Sequence, residues 1–207
     1  MKIYVSKNPV YAAVTEPIIY NKKLTILAGM NGVGKSTLAN VLRINTDSLG
    51  YIIDPDDYAV RYGGNISGGK EALKDIDYCI SNGIEFTEET TLSGNTIFKT
   101  MRRAKISGYE VHLIYIGVDS PDESISRVQN RVKHGGHDID SNLIRQRYEK
   151  RWDNLYKALH ICNTADFYDN NAGYKLIATY KDRHISAKCN EYPQWMDDFI
   201  DYLDSKE

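Results

Sequence analysis

Leu24-Thr25-Ile26-Leu27-Ala28-Gly29-Met30-Asn31-Gly32-Val33-Gly34-Lys35-Ser36-Thr37 decides the fold. Its first five residues are an apolar run of strand length. Gly29 to Ser36 then matches G-x-x-x-x-G-K-[ST] at every fixed position, and the run from Lys35 to Arg43 has helical periodicity. A strand, a glycine-rich turn and a helix in that order form a phosphate cradle. The glycines let backbone N–H groups turn toward an anion where a Cβ would intrude. The helix points its positive end at the same place. Gly29, Met30, Asn31, Gly32, Val33, Gly34, Lys35, Ser36 and Thr37 are therefore expected to bind a nucleoside triphosphate. Lys35 supplies the mobile charge for the β- and γ-phosphates, and Ser36 offers a hydroxyl to Mg²⁺.

Outward from this loop, apolar runs alternate with amphipathic ones, which predicts an α/β fold of three layers: a mostly parallel sheet with helices on both faces. Strands are expected at Tyr51–Ile53, 84–88, 110–118, 165–169 and 174–180. Helices are expected over 68–82, 95–107, 121–134, one continuous stretch 141–160, and 193–203. Ser120-Pro121-Asp122-Glu123 is a helix start, with a cap residue, a proline in the first turn and acids near the positive helix end. No repeat or linker interrupts the chain, so residues 1–207 read as a single P-loop kinase-like domain. In this reading residues 1–20 are an N-terminal extension and 121–160 a helical lid.

Composition narrows the partners. The 207 residues carry a net charge of −2, so no global field draws the chain to nucleic acid or a membrane. No run approaches the ~20 apolar residues of a membrane span, and the N-terminus lacks a secretory h-region. Three widely spaced cysteines, Cys79, Cys162 and Cys189, fit reduced thiols, and a cytoplasmic location is expected.

A phosphate loop does not name a reaction. No base-reading N-K-x-D segment follows the loop, against a GTPase. Leu113 to Val118 ends in Asp119-Ser120 rather than Asp-Glu, against a transporter-type ATPase. A small kinase fits best, and it needs a carboxylate to receive the proton of the attacking hydroxyl. Asp54-Pro55-Asp56-Asp57 ends the strand after the loop helix, where ligands of open α/β sheets bind. Glu88-Glu89-Thr90-Thr91-Leu92-Ser93-Gly94 ends the next; it suits a polyhydroxylated acceptor, or else caps the helix from Asn95 through Ser93 or Asn95. Arg127, Arg131, Arg145 and Arg147 surround Gly135-Gly136 and could neutralise a transferring phosphoryl group, or else form a solvated basic face. His134 and His137 lack the further ligands a zinc site wants.

These segments together resemble the zeta-toxin-like P-loop kinases. The resemblance rests on the phosphate loop, Asp54-Pro55-Asp56, Glu89-Thr90-Thr91-Leu92-Ser93-Gly94, Gly108-Tyr109-Glu110-Val111, Arg127-Val128, Arg131-Val132 with Gly135-Gly136-His137, Arg147-Tyr148, and Asp166 with Tyr168-Asp169-Asn170. It covers roughly residues 24–171. It implies transfer of the γ-phosphate of ATP or GTP, with Mg²⁺, to the 3′-hydroxyl of UDP-N-acetylglucosamine or a related sugar nucleotide. It also implies an antitoxin partner that blocks nucleotide binding. By position, Lys35 and Ser36 would hold phosphates and metal, and Asp56 would be the base, with Asp57 the alternative. Glu89 and Thr91 would grip the sugar nucleotide. Arg131 and Arg145 would clamp the phosphate, with Arg127 or Arg147 the alternative partner. Two further readings stay open: a kinase acting on a nucleotide cofactor or a nucleic-acid end, for which Lys99, Arg102, Arg103 and Lys105 leave room, and a non-catalytic nucleotide-binding module.

Overall fold

The computed structural model describes residues 22–45 and 49–206; the N-terminal extension, residues 1–20, lies outside them. Among the described residues seven strands form one sheet in the order β2-β3-β1-β4-β5-β6-β7. They are β1 (Lys23–Gly29), β2 (Tyr51–Ile53), β3 (Phe86–Thr90), β4 (Glu110–Gly117), β5 (Thr164–Asp169), β6 (Lys175–Lys181) and β7 (His184–Ala187). The first five run parallel, and β6 and β7 continue the sheet antiparallel. β1, between β3 and β4, is buried on both faces, so it reads as an unbroken apolar run.

Helices cover both faces, giving the expected three layers. On one face α1 (Lys35–Asn45), α5 (Pro121–Lys133) and α6 (Ser141–Glu149) pack against Leu27, Ile114 and Ile116 through Leu38, Ile125, Val128 and Ile144. On the other face, Leu24, Ile26, Phe86 and Leu113 meet α2 (Pro55–Arg61), α3 (Asn65–Asn82), α4 (Asn95–Ile106), α7 (Arg151–Leu159) and α8 (Gln194–Asp204). Tyr58, Ile76, Met101, Leu155, Trp195 and Phe199 are the buried contacts there.

Four local expectations need correction. The acidic segment after β2 is a helix, α2, with Asp54 as its cap: Asp54 Oδ1 accepts from the Asp56 N–H at 3.0 Å, and Pro55 takes the first helical position. β3 sits two residues later than read, so Glu89 and Thr90 join Glu88 in the strand itself. Neither Ser93 nor Asn95 caps α4; Gly94 occupies that position and makes no side-chain capping bond. The stretch 141–160 is two helices broken at Lys150, and they lie on opposite faces of the sheet. β7 was not foreseen.

α2 and α3 set one wall of the region above the strand ends. They approach closely because Gly68 lies against the Ala59 backbone; a Cβ there would come within 2.5 Å of Ala59 N.

Candidate active site

The carboxyl ends of β1, β2 and β3 open into a cavity of about 810 Å³. Asn31, Gly32, Gly34, Lys35, Ser36 and Thr37 form one side. Asp54, Pro55 and Asp56 at the start of α2, and Glu88 to Thr91 at the end of β3, form the floor. Arg127, Arg131 and Arg147 close it from α5 and α6. Ile66, Leu73, Ile76 and Ile97 make an apolar wall on the α3–α4 side.

The loop is held in shape by its surroundings. Lys35 Nζ donates to the carbonyls of Gly29 and Met30, each at 3.1 Å. The turn between β5 and β6 reaches over it: Asn170 Nδ2 donates to Val33 O at 2.8 Å, and the Tyr174 hydroxyl to Gly34 O at 2.6 Å. Gly34 has φ +92°, and a Cβ there would lie 2.2 Å from the Tyr174 oxygen. Only glycine meets both conditions.

Carboxylates gather around the lysine. Burial lowers the Lys35 pKa, while Glu89, Asp56 and Asp54 oppose that shift. Ser36 Oγ donates to Glu89 Oε2 at 3.0 Å. Glu89 is 4% exposed; burial and the neighbouring Asp54 charge raise it to about 7, against the pull of Lys35 and Ser36. Burial raises Asp54 as well. Asp56 lines the cavity. Asp57 turns away from it to pair with Arg61 one helical turn on.

Thr91 lines the floor and shares a short hydrogen bond with Ser93. Between them Leu92 takes φ 58° with its side chain 1% exposed, and its N–H donates to Thr90 Oγ1 at 2.9 Å. A left-handed leucine is costly. Here it plugs the core and leaves the Thr91 and Ser93 hydroxyls above it.

The arginines divide unevenly. Arg127 pairs with Glu123 and donates to Asn170 O at 2.5 Å. Arg131 donates to His137 O at 2.8 Å. Arg147 Nη1 donates to Asn31 Oδ1 at 2.7 Å, inside the phosphate loop; burial lowers its pKa, and Asp56 opposes that shift. Arg145 is outside the cavity, bonded to Asp122 at 2.6 Å with its side chain half exposed. The reason is helical phase. Ile144, fully buried, fixes the inner face of α6, and Arg147 three residues on shares that face while Arg145 does not. Of the residues expected at the site, the fold thus assembles the loop, Asp56, Glu89, Thr91, Arg127 and Arg131, and brings Arg147 in place of Arg145. Glu88 lines the cavity with the rest of its segment, whereas the apolar wall was missed, because Leu73, Ile76 and Ile97 read as helix core positions.

The other motifs lie elsewhere. In the basic cluster of α4, Arg103 pairs with Asp77 at 2.5 Å and Lys105 donates to Ile161 O at 2.7 Å. Among the described residues no group of three or more His, Cys, Asp or Glu side chains forms a metal cage, and no helix is long and apolar enough to cross a membrane. Cys79, Cys162 and Cys189 are free thiols.

Comparisons with known proteins agree with this fold. A family model described as Zeta toxin matches residues 71–187, from within α3 through β7. The match begins after the phosphate loop, so the loop is independent support. A protein of Haemophilus influenzae is 35% identical over 136 residues, which is 63% of this chain and 95% of that one. Among solved structures, the PezAT chromosomal toxin–antitoxin system of Streptococcus pneumoniae aligns with a TM-score of 0.57 at 19% identity, covering 88% of this chain and 85% of that one. AvrRxo1-ORF1 with ORF2 and ATP aligns at 0.59 and 14% identity, covering 80% and 60%. The Pnkp1/Rnl/Hen1 RNA repair complex aligns at 0.52 and 19%, covering 65% and 45%.

Proposed function

Because the chain belongs to the zeta toxin family of P-loop kinases, we propose that it transfers the γ-phosphoryl group of ATP or GTP to a hydroxyl of a small-molecule acceptor. UDP-N-acetylglucosamine or a related sugar nucleotide is the first candidate. The observation that carries this reading is one cavity lined at once by the phosphate loop, by Asp56 and by Arg127, Arg131 and Arg147.

Each residue has a task. The loop N–H groups and Lys35 bind the phosphates of the donor. Ser36 and Glu89, a hydroxyl and a carboxylate in contact, are the hard-oxygen pair that would hold Mg²⁺. The ion, when bound, neutralises charge on the β- and γ-phosphates. Asp56 takes the proton of the acceptor hydroxyl as that oxygen attacks the γ-phosphorus. The bond from phosphorus to the bridging oxygen breaks, and the nucleoside diphosphate leaves with the electron pair. Arg131 and Arg147 stabilise the equatorial oxygens in passing. Thr91, with Glu89, orients the acceptor. Closure of α5 and α6 over the phosphates would exclude water from the reaction.

An antitoxin that blocks the nucleotide site is the partner this reading carries, since PezAT is a toxin–antitoxin system. The cluster on α4 gives a nucleic-acid acceptor little support, because two of its four cations are spent on the fold.

The test is a mass-spectrometric screen of metabolite pools, and of UDP-N-acetylglucosamine alone, for ATP-dependent products one phosphoryl group heavier. Lys35→Ala is the inactive control. Asp56→Asn should abolish transfer while nucleotide affinity stays within about threefold, and Asp57→Asn should change neither. Tight ATP binding with no product from any pool would instead mark a non-catalytic binding module.

A further inference from the structure

Trp195, in the first turn of α8, is fully buried on the face of the sheet opposite the core that the phosphate loop packs into. Its indole packs on Gly117, the last residue of β4, where a Cβ would come within 2.3 Å of the ring. Only glycine permits that approach to a strand end. It brings two donors of Trp195 to two carboxyls. The backbone N–H donates to Asp119 Oδ1 at 3.1 Å, and the indole Nε1 to Asp169 Oδ1 at 2.9 Å. Asn171 Nδ2 donates to the same pair, to Asp119 Oδ2 at 2.9 Å and to Asp169 Oδ1 at 2.8 Å. The Asp119 N–H donates back to Asn171 Oδ1 at 3.3 Å. Trp195, Asp119, Asn171 and Asp169 thus close a ring of hydrogen bonds. Asp169 and Asn171 flank Asn170, whose N–H donates to Gly117 O at 3.3 Å and whose side chain holds Val33 O. Tyr174, in the same turn, holds Gly34 O. Packing α8 on the sheet would need only apolar atoms here; a satisfied polar network fixes one arrangement of the groups it joins.

We propose that Trp195 is a positioning residue for nucleotide binding: through Asp169, Asp119 and Asn171 it fixes the turn between β5 and β6, and with it the carbonyls of Val33 and Gly34. This rests on the reading of the loop as the nucleotide site. It goes beyond that reading in making α8, which begins after the family match ends at residue 187, part of the machinery that shapes the loop. No residue of α8 lines the cavity, so its influence is carried entirely by the turn. Nucleotide affinity then depends on the C-terminal helix from the far face of the sheet.

Two measurements on the full chain test this. Trp195→Phe keeps an aromatic ring on Gly117 and deletes the Nε1 bond. Phe199→Leu is the control for stability alone, since Phe199 is equally buried in α8 and packs among Trp152, Phe167 and Tyr202. The first measurement is titration with ADP–Mg²⁺ well below the unfolding temperature, which reads the folded molecules only. Trp195→Phe should weaken binding about fivefold, the cost of ordering a loosened loop, and Phe199→Leu should stay within about twofold of wild type. Wild-type affinity in Trp195→Phe, or equal losses in the two variants, overturns the proposal. Combined with Tyr174→Phe, the loss should fall about threefold short of the product of the single losses, because both act through one turn. A loss equal to that product overturns the shared route. The second measurement is hydrogen exchange of the ligand-free protein. Amides of residues 32–37 should exchange about fivefold faster in Trp195→Phe than in Phe199→Leu. Equal loop exchange in the two overturns the positioning. A wild type that binds no nucleotide sinks the nucleotide reading instead, and loop exchange still decides whether Trp195 holds the loop.

Discussion

Ser36 Oγ and Glu89 Oε2 lie 3.0 Å apart, joining the first turn of α1 to the end of β3. That bond ties the hydroxyl proposed to hold Mg²⁺ to a carboxyl that burial raises to about 7. Only the ionised form serves as a full oxygen ligand beside Ser36. Bound Mg²⁺ favours the ionised form, so log kcat should decline along an acid limb that lies below the ligand-free value of about 7, as Glu89 takes up its proton. Glu89→Gln should lose roughly 100-fold in kcat and lose this acid limb with it. A limb that survives in Glu89→Gln would assign the titration to another group.

The same two buried acids set the pH dependence of stability. Folded Glu88 and Glu89 keep their protons to about 8 and about 7, against an unfolded value of ~4.3. The folded state thus binds more protons across that window. Stability is greatest below the unfolded value and declines as pH rises through both folded values. Urea unfolding of the ligand-free protein should show the midpoint falling between about pH 5 and pH 8. Glu88→Gln should flatten the upper part of that decline. A midpoint that rises over this range would contradict the burial of both carboxyls.

Arg147 and Arg145 are two residues apart on α6, and their positions separate a cavity-lining guanidinium from a surface ion pair. Arg147 reaches Asn31 in the loop, whereas Arg145 spends its charge on Asp122 in solvent. Arg147→Ala should lower kcat by about 100–1000-fold, the range for removing one group that stabilises transition-state charge. Arg145→Ala should stay within about threefold of wild type, as exposed pairs contribute little. Steady-state kinetics on the two variants read the difference directly; equal losses would refute the division.

What was legible in the sequence follows from which forces act locally. β1 and the loop after it are coded by an apolar run and by glycines that sterics demand, so their places were readable. The α5 start was readable because Ser120 caps it, its hydroxyl accepting from the Glu123 N–H at 3.3 Å. β3 was read two residues early because its end carries Glu89, which pattern rules assign to solvent. Glu88 and Glu89 are both buried, and only tertiary structure shows that. α2 has seven residues, too few for periodicity to speak. β7 was hidden because the turn before it places Asp182 and Arg183, neither a glycine, at positive φ. The break at Lys150 has no proline or glycine to announce it. The choice of Arg147 over Arg145 needed the phase of α6, which Ile144 sets by packing.

The last prediction concerns the turn that holds the loop. Tyr174 and Asn170 donate to the carbonyls of Gly34 and Val33, and Arg127 donates to the Asn170 carbonyl. These contacts fix carbonyl directions, and with them the N–H groups that must face the phosphates. Tyr174→Phe keeps the ring and deletes one such bond. It should weaken ADP–Mg²⁺ binding by about 5–10-fold, since a loop that must order on binding pays that cost from its affinity. Its effect on stability should be about 1 kcal/mol, the usual worth of one hydrogen bond. Gly34→Ala should do far more, because its Cβ collides with the Tyr174 oxygen at a backbone angle alanine disfavours. Combining Gly34→Ala with Tyr174→Phe should not restore binding, because removing the oxygen leaves the positive φ in place. Recovery in the double variant would show that the clash alone, and not the left-handed backbone, requires glycine at this position.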